Sequence, residues 1–582
     1  KTGKPQRNDI YLSLIKPDKQ LGDEGYVLAT THYVSIEAPT VKGLFWGTRS
    51  LLQILYNQQG KLPKGTARDF PKFSSRGFML DVARKFFTLD YLKQYVKILS
   101  FYKMNEFQIH LNDNGFPQFF NNDWKMTYAA FRLESERFPG LTAKDGSYTK
   151  QEFSNLQRMG MSYGVNVIPE IDIPAHSLAF THYKPEIGSK EYGMDHLDLY
   201  KDETYHFLDT LFDEYLSGEH PIFIGPDVHI GTDEYNKKEA EQYRYFTDRY
   251  LKYIEKYGKN PRMWGGLKWL PGKTPVKAGG VTVNAWSYDW IDPEASLREG
   301  YQLINTCDTY LYIVPGAGYY REFLDHKWIY ESWSPWLMNS KQTLPEGTPG
   351  VLGGMFAVWN DMCGNGISEQ DVHLRSFPAI QVLAEKLWKG DNKIVSYESF
   401  EALCRIMPEA PGVNLLARIP KEMCLTPLGK VCLLSGTDTI RTALQEVGYP
   451  YVVSFKIYPD KDTNINGILF EGPHSKVYTN WENTGRIAFS RDGYTFVFGS
   501  YCLPKGKWTD ICISGDYKGT SLYVNGKLQE RLEGRKMKVY CKKNKRMDYM
   551  PYQETLIFPL RWIGNPLNGF KGKIQNVTCV QK

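Results

Sequence analysis

No stretch of this chain approaches the ~18–20 consecutive apolar residues that a membrane-spanning helix requires, and no internal repeat or low-complexity segment interrupts it. Its start, Lys1-Thr-Gly-Lys-Pro, lacks the apolar centre of a secretory leader and reads as a processed or a trimmed polypeptide. No CxxC pair is present, which removes the common zinc frameworks. Nor does a GxGxxG open the first strand–helix unit, which argues against a dinucleotide fold. A net charge of +6 over 582 residues is too diffuse for a nucleic-acid footprint. The nine cysteines are odd in number, and seven of them follow residue 400. At least one must be unpaired, with room for one or two bridges in the C-terminal part.

What is present is ordinary in bulk and unusual in detail. Hydrophobic content of 42% and charged content of 23% fit folded protein, and the length demands two or three domains. Residues 1–70 alternate as in Tyr26-Val-Leu-Ala-Thr and then turn helical from Thr48, which predicts a small α+β unit. From residue 75, short apolar runs recur at 77–82, 106–111, 165–171, 228–231, 263–265, 281–286, 302–305 and 351–358. Helical periodicity separates most of them. The first case is clearest, with Leu92, Tyr95, Val96 and Leu99 at i, i+3, i+4, i+7 behind Thr88 or Asp90 as N-cap. Eight strands alternating with helices predict a (β/α)8 TIM barrel over 71–395. A linker is expected over 396–430. Alternating stretches with turn signals such as Asn525-Gly526 predict an antiparallel β-sandwich over 431–582. The fold class is thus multidomain α/β plus all-β.

In such barrels, chemistry gathers at the C-terminal ends of the strands. Those positions deliver Asp81 and Arg84, then Asp113, then Asp172 and His176, then the adjacent pair Asp233-Glu234. Trp264, Trp286, Tyr310, Trp359 and Asp361 follow. An isolated Asp-Glu pair is usually solvated surface charge. At the end of a strand, however, both acids can face one site whose unlike surroundings split their pKa values. Carboxylates among aromatic rings suit a pyranose, whose apolar faces and hydroxyls need both. His110, on a strand interior, reads as structural. A metal at Asp113, Asp172 and Asp233 is disfavoured because no paired-His pattern accompanies them, and no cofactor is expected.

Several motifs in order carry a resemblance to glycoside hydrolase family 20, the β-N-acetylhexosaminidases. They are Arg76-Gly-Phe-Met-Leu-Asp-Val-Ala-Arg, Lys103-Met-Asn-Glu-Phe-Gln-Ile-His-Leu-Asn-Asp, Ile168-Pro-Glu-Ile-Asp-Ile-Pro-Ala-His and His229-Ile-Gly-Thr-Asp-Glu. Residues 22–55 are similar to the family's accessory α+β domain, shortened at its start. The resemblance implies substrate-assisted cleavage, in which the sugar's own 2-acetamido oxygen attacks C1. Glu234 is then the acid and base, Asp233 orients the acetamide, and Tyr310 holds its oxygen. Trp264, Trp286 and Trp359 wall the sugar, Arg76 binds O3 and O4, Asp361 binds O4, and Asp113 with His176 tunes the acid. The implied partner is a glycan ending in GlcNAc, with no nucleic acid or membrane span, and the implied location is secreted, periplasmic or cell-surface.

The chain departs from the family at two places. Tyr310-Leu311-Tyr312 replaces the usual Tyr-Leu-Asp, and Trp359-Asn360-Asp361 replaces Trp-x-Glu. Loss of an acid on the O6 side suggests tolerance of 6-O-sulfated GlcNAc, with Tyr312 at that position. A disaccharide-releasing enzyme like a lacto-N-biosidase is disfavoured by Arg76, and a pure glycan-binding protein by the intact acid pair. Residues 431–582 resemble the concanavalin A-like/laminin G-like sandwiches, which defines no ligand.

Overall fold

The structure, a computed structural model, describes residues 5–391, 394–420, 422–541 and 545–581. The chain divides into two compact units, the second built mainly from residues after Asn414.

The first unit opens with a four-stranded sheet in the order Ile10–Leu14, Val34–Ala38, Tyr26–Thr30, Gly65–Asp69. The helix Val41–Asn57 covers it and starts where the Thr40 hydroxyl accepts from Gly43 N–H. Tyr26, Leu28, Ile36 and Leu51 pack around Trp46, and Trp388 closes this small core.

The barrel follows. Its strands are β1 (Ser75–Asp81), β2 (Glu106–His110), β3 (Asn166–Ile173), β4 (Asp227–Gly231), β5 (Asn260–Trp264), β6 (Thr282–Ala285), β7 (Gln302–Asn305) and β8 (Val351–Val358). All pair in parallel with the next, and β8 pairs with β1 through Val358 and Leu80, which closes the ring. Each of the eight runs expected to be a strand is one. Their near-continuous apolar character follows from burial on both faces. The helix Leu89–Phe101 begins at Thr88, whose hydroxyl accepts from Tyr91 N–H.

Toward the N-terminal end, the barrel interior is charged. Glu106 accepts from both terminal nitrogens of Arg262, at 2.8 and 3.0 Å, and from Ser75 Oγ. Arg262 also meets Asp227 at 3.2 Å. A buried pair of this kind persists only because every charge is matched.

The stretch expected to be a linker is not featureless. It carries the helix Tyr397–Ile406 and the short strand Met423–Cys424, which joins the edge of a C-terminal sheet.

The second unit consists of two antiparallel sheets. One runs Met423–Cys424, Lys571–Gln581, Tyr451–Pro459, Thr509–Gly515, Gly519–Val524, Lys527–Glu533. The other runs Thr439–Arg441, Trp562–Gly564, Gly467–Glu471, Ser475–Trp481, Arg486–Arg491, Tyr494–Val497. Strict alternation along Tyr451–Pro459 sends Val453, Phe455 and Ile457 inward to meet Phe470, Val477 and Phe489 of the other sheet. Asn525 and Gly526 both take positive φ in the tight turn between two of these strands. The one or two bridges for which the cysteine count leaves room are not formed among the described side chains: Cys404, Cys424, Cys432, Cys502, Cys512 and Cys579 are free thiols, as are Cys307 and Cys363. The Cys541 side chain lies outside the described residues.

Candidate active site

Strand β4 ends in a left-handed turn. φ is 68° at Gly231, 82° at Thr232 and 53° at Glu234. For Thr232, a β-branched residue, this is a strained conformation. It is held from both sides: Thr232 N–H donates to Asp172 Oδ1 at 3.2 Å, and Tyr243 Oη donates to Thr232 C=O. A Cβ at position 231 would collide with the Asp172 carboxylate, so glycine is required. The turn frees the two acids from strand alternation. Asp233 is largely buried, with 11% of its side chain exposed, while Glu234 is 52% exposed.

The end of β3 supplies the group between them. Asn112 accepts from Asp172 N–H and donates to the carbonyls of Asp172 and His176, which clamps this bend. His176, itself at φ 53°, presents Nδ1 to Asp113 Oδ1 at 2.9 Å. Its Nε2 lies 3.4 Å from Glu234 Oε2 and 3.9 Å from Asp233 Oδ2. Asp113 also meets Arg84 at 2.8 Å and His110 at 2.7 Å. Burial works to raise the Asp113 carboxyl, but Arg84, His176 and His110 overcome it and hold it well below the carboxylate range. Burial likewise opposes the charged form of His176, yet Asp113, Asp172 and Asp233 drive its pKa far above the usual value.

The acid pair is ordered in reverse of expectation. Burial pushes Asp233 up to about 6, with Glu234 and Glu170 adding to it. Burial opposes ionisation of Glu234 too, but the imidazolium of His176 prevails and keeps its carboxyl below the ordinary value. The reason is geometric: Nε2 of His176 is nearer Glu234, and Asp233 Oδ1 has no hydrogen-bond partner among the described residues.

Beneath the acids lies a polar floor. Glu170 accepts from Gln108 Nε2 at 2.8 Å and from the indole Nε1 of Trp264 at 2.6 Å, and lies 3.1 Å from His110 Nδ1. Burial would raise Glu170, but His110 and His229 hold it down at about 2. Trp264 is fully buried, so it backs the wall rather than facing a sugar. The wall itself is Trp286, Tyr312 and Trp359, which cluster with it. The Tyr312 and Trp359 rings are 5.9 Å apart.

Two further expectations fail. Arg76 stands at the N-terminal end of β1, across the barrel from the acids. It is completely buried, pairs with Glu24, donates to the carbonyls of Lys103 and Phe73, and lies over Trp388. Arg84, eight residues on and past the C-terminal end of the strand, occupies the site instead. It faces Asp81 at 3.2 Å, Asp113 at 2.8 Å and Asp361 at 3.4 Å. Tyr310 is also displaced: it sits in the four-residue helix Asp308–Leu311, and its ring packs 4.5 Å from Trp328. Tyr312 takes the inward position. Burial raises its phenol first, and the charges of Asp308 and Asp233 add to the effect. Asp361 accepts from Tyr319 Oη at 2.6 Å, and Asp308 from Tyr320 Oη at 2.9 Å. These two Tyr–Asp pairs were not singled out from the sequence.

A closed parallel barrel carrying an acid pair and an aromatic wall at its strand ends defines a carbohydrate-type site. The chain belongs to glycosyl hydrolase family 20: the description of that family's catalytic domain matches residues 73–391, and that of its domain 2 matches residues 1–70. It is 24% identical over 509 residues to a beta-hexosaminidase of Porphyromonas gingivalis, covering 75% of this chain and 59% of that protein. It is 28% identical over 315 residues to a beta-hexosaminidase of Akkermansia muciniphila, covering 47% and 60%. The chain thus spans about three-fifths of these curated relatives. A beta-N-acetylhexosaminidase structure from Bacteroides fragilis superposes with a TM-score of 0.55 at 23% identity, over 68% of this chain and 82% of that one. This last likeness is one of fold.

Proposed function

We propose that this protein is an exo-acting, retaining β-N-acetylhexosaminidase that releases terminal β-linked GlcNAc by substrate-assisted catalysis. The observation that carries it is the turn after β4, which sets Asp233 and Glu234 beside the Trp286–Tyr312–Trp359 wall. Glu234 protonates the leaving oxygen and later deprotonates water, with the imidazolium of His176, 3.4 Å away, as the adjacent proton source. Asp233 accepts from the acetamide N–H. Such a bond favours the charged form, so a carboxyl near 6 ionises on binding and stabilises the oxazolinium ion. Tyr312, not Tyr310, holds the acetamide oxygen for in-line attack on C1. Well-oriented intramolecular attack of this kind is worth up to ~7–11 kcal/mol.

Arg84 and Asp361 bind O3 and O4 of the sugar. The exo reading rests on that pair, because a further sugar on O3 would collide with the guanidinium. Disaccharide release, the activity named for a Bifidobacterium bifidum lacto-N-biosidase with 23% identity, is the rival within the family. Tolerance of a 6-O-sulfate, expected from a phenol on the O6 side, loses that support here, because Tyr312 is taken up by the acetamide. Asp308 and Asp361, each accepting a tyrosine hydroxyl, weigh against a requirement for sulfate. Substrates of this type are extracellular, and a secreted or envelope-exposed location belongs to the same proposal. The test is hydrolysis of 4-nitrophenyl β-GlcNAc, its 6-sulfate and 4-nitrophenyl β-glucoside. Glucoside cleavage as fast as that of GlcNAc would sink the mechanism.

A further inference from the structure

Beyond the wall, an aromatic ladder leads outward. The Trp286 ring is 5.4 Å from Trp290, and Trp290 is 5.1 Å from Trp269, each pair inclined by 32°. Trp290 and Trp269 are half-buried. Lys237, three residues past Glu234, places its ammonium 4.5 Å over Trp269. Nearby, Lys268 and Lys341 lie 3.5 and 4.5 Å over the Tyr288 ring. The rings are fixed by the backbone: Lys268 N–H donates to Trp290 C=O, and Lys268 Nζ to Tyr288 C=O. All three lysines are exposed, and among the described residues none has a carboxylate within ion-pair distance.

The ladder starts at the wall and ends at Trp269 on the loop after β5, where Lys237, from the loop that carries the half-exposed Glu234, lies over it. It therefore runs along the side from which a leaving group departs. Stacked indoles accept the apolar face of a sugar ring, and unpaired ammonium groups on their rim favour an anion. We infer that Trp290, Trp269, Lys237, Lys268 and Lys341 form a leaving-group subsite selective for an anionic sugar, borne as a sulfate ester or a carboxylate. This rests on the GlcNAc-releasing reading and extends it to the residue on the other side of the bond.

The test uses three disaccharides: GlcNAc β-linked to galactose, to 6-O-sulfated galactose and to glucuronic acid. The wild-type protein should favour an anionic compound over the neutral one by about five- to tenfold in kcat/KM at low ionic strength, with the advantage shrinking as salt rises. In the triple variant Lys237→Met/Lys268→Met/Lys341→Met that ratio should fall to near one. Preference for the sulfate alone, or for the uronate alone, supports the subsite and names its anion. Equal rates in the wild type, or a preference that survives the triple variant, overturn it. If no compound is cleaved, the catalytic reading fails. Calorimetric binding of the same three disaccharides to wild type and triple variant then decides the subsite by the same ratio.

Discussion

His176 Nε2 faces Glu234 Oε2 across 3.4 Å, with Nδ1 of the same ring anchored on Asp113. A cationic imidazole is thus wedged between two carboxylates, one structural and one placed for chemistry. Under the proposed mechanism the imidazolium supplies Glu234 with its proton, and it stays charged up to the raised pKa of the histidine. In His176→Asn the only store is the carboxyl itself. The alkaline limb of the kcat/KM profile should then move to lower pH by at least about one unit. An unmoved alkaline limb would show that His176 does not tune the acid.

The two arginines of the first motif should separate cleanly. On the proposed reading, Arg84→Ala lowers kcat/KM by about 100-fold or more, since a charged hydrogen-bonding partner of the sugar would be lost. Arg76→Ala should leave KM near wild type and lower Tm, because it removes a buried ion pair and leaves Glu24 with Lys42 alone. Steady-state kinetics beside thermal melts give both readings.

Under the proposed mechanism Asp233→Asn costs kcat far more than KM, as the amide would not supply the charge that an oxazolinium requires. Tyr312→Phe should act in the same direction, and Tyr310→Phe should change neither constant appreciably. A kcat loss confined to the Tyr310 variant would give the acetamide contact to Tyr310 instead.

Stability should depend on pH through Glu170. Its folded pKa of about 2 lies below that of an unfolded glutamate. Its contribution is therefore complete above about pH 4.5 and disappears as pH falls through the folded value. The Tm gap between wild type and Glu170→Gln should be widest above about pH 4.5 and narrow steadily as pH falls toward about 2. A gap constant with pH would remove Glu170 from the linkage.

Much of this architecture was legible before any coordinates. The eight apolar runs, the capped helix at Thr88 and the alternating strands near Tyr451 follow from local periodicity, which the chain displays openly. The errors arose where geometry outranks pattern. Arg76 and Arg84 open and close one motif, but strand direction sends only the second to the C-terminal end of the barrel, which motif resemblance alone does not encode. The four-residue helix at Asp308 shifts the inward phase from Tyr310 to Tyr312, and no periodicity reveals so short an element. The order of the acid pair depends on half an ångström in the reach of His176, which no residue string encodes.

Arg76 has one last implication. Its guanidinium is neutralised by Glu24, a residue of the leading sheet-and-helix layer, and is capped by Trp388 from the far end of the barrel segment. Anyone seeking a minimal catalyst by deleting the first seventy residues would leave an uncompensated cation lodged under β1. The small leading layer is thus a counter-ion as much as an appendage, and the barrel is not a portable module.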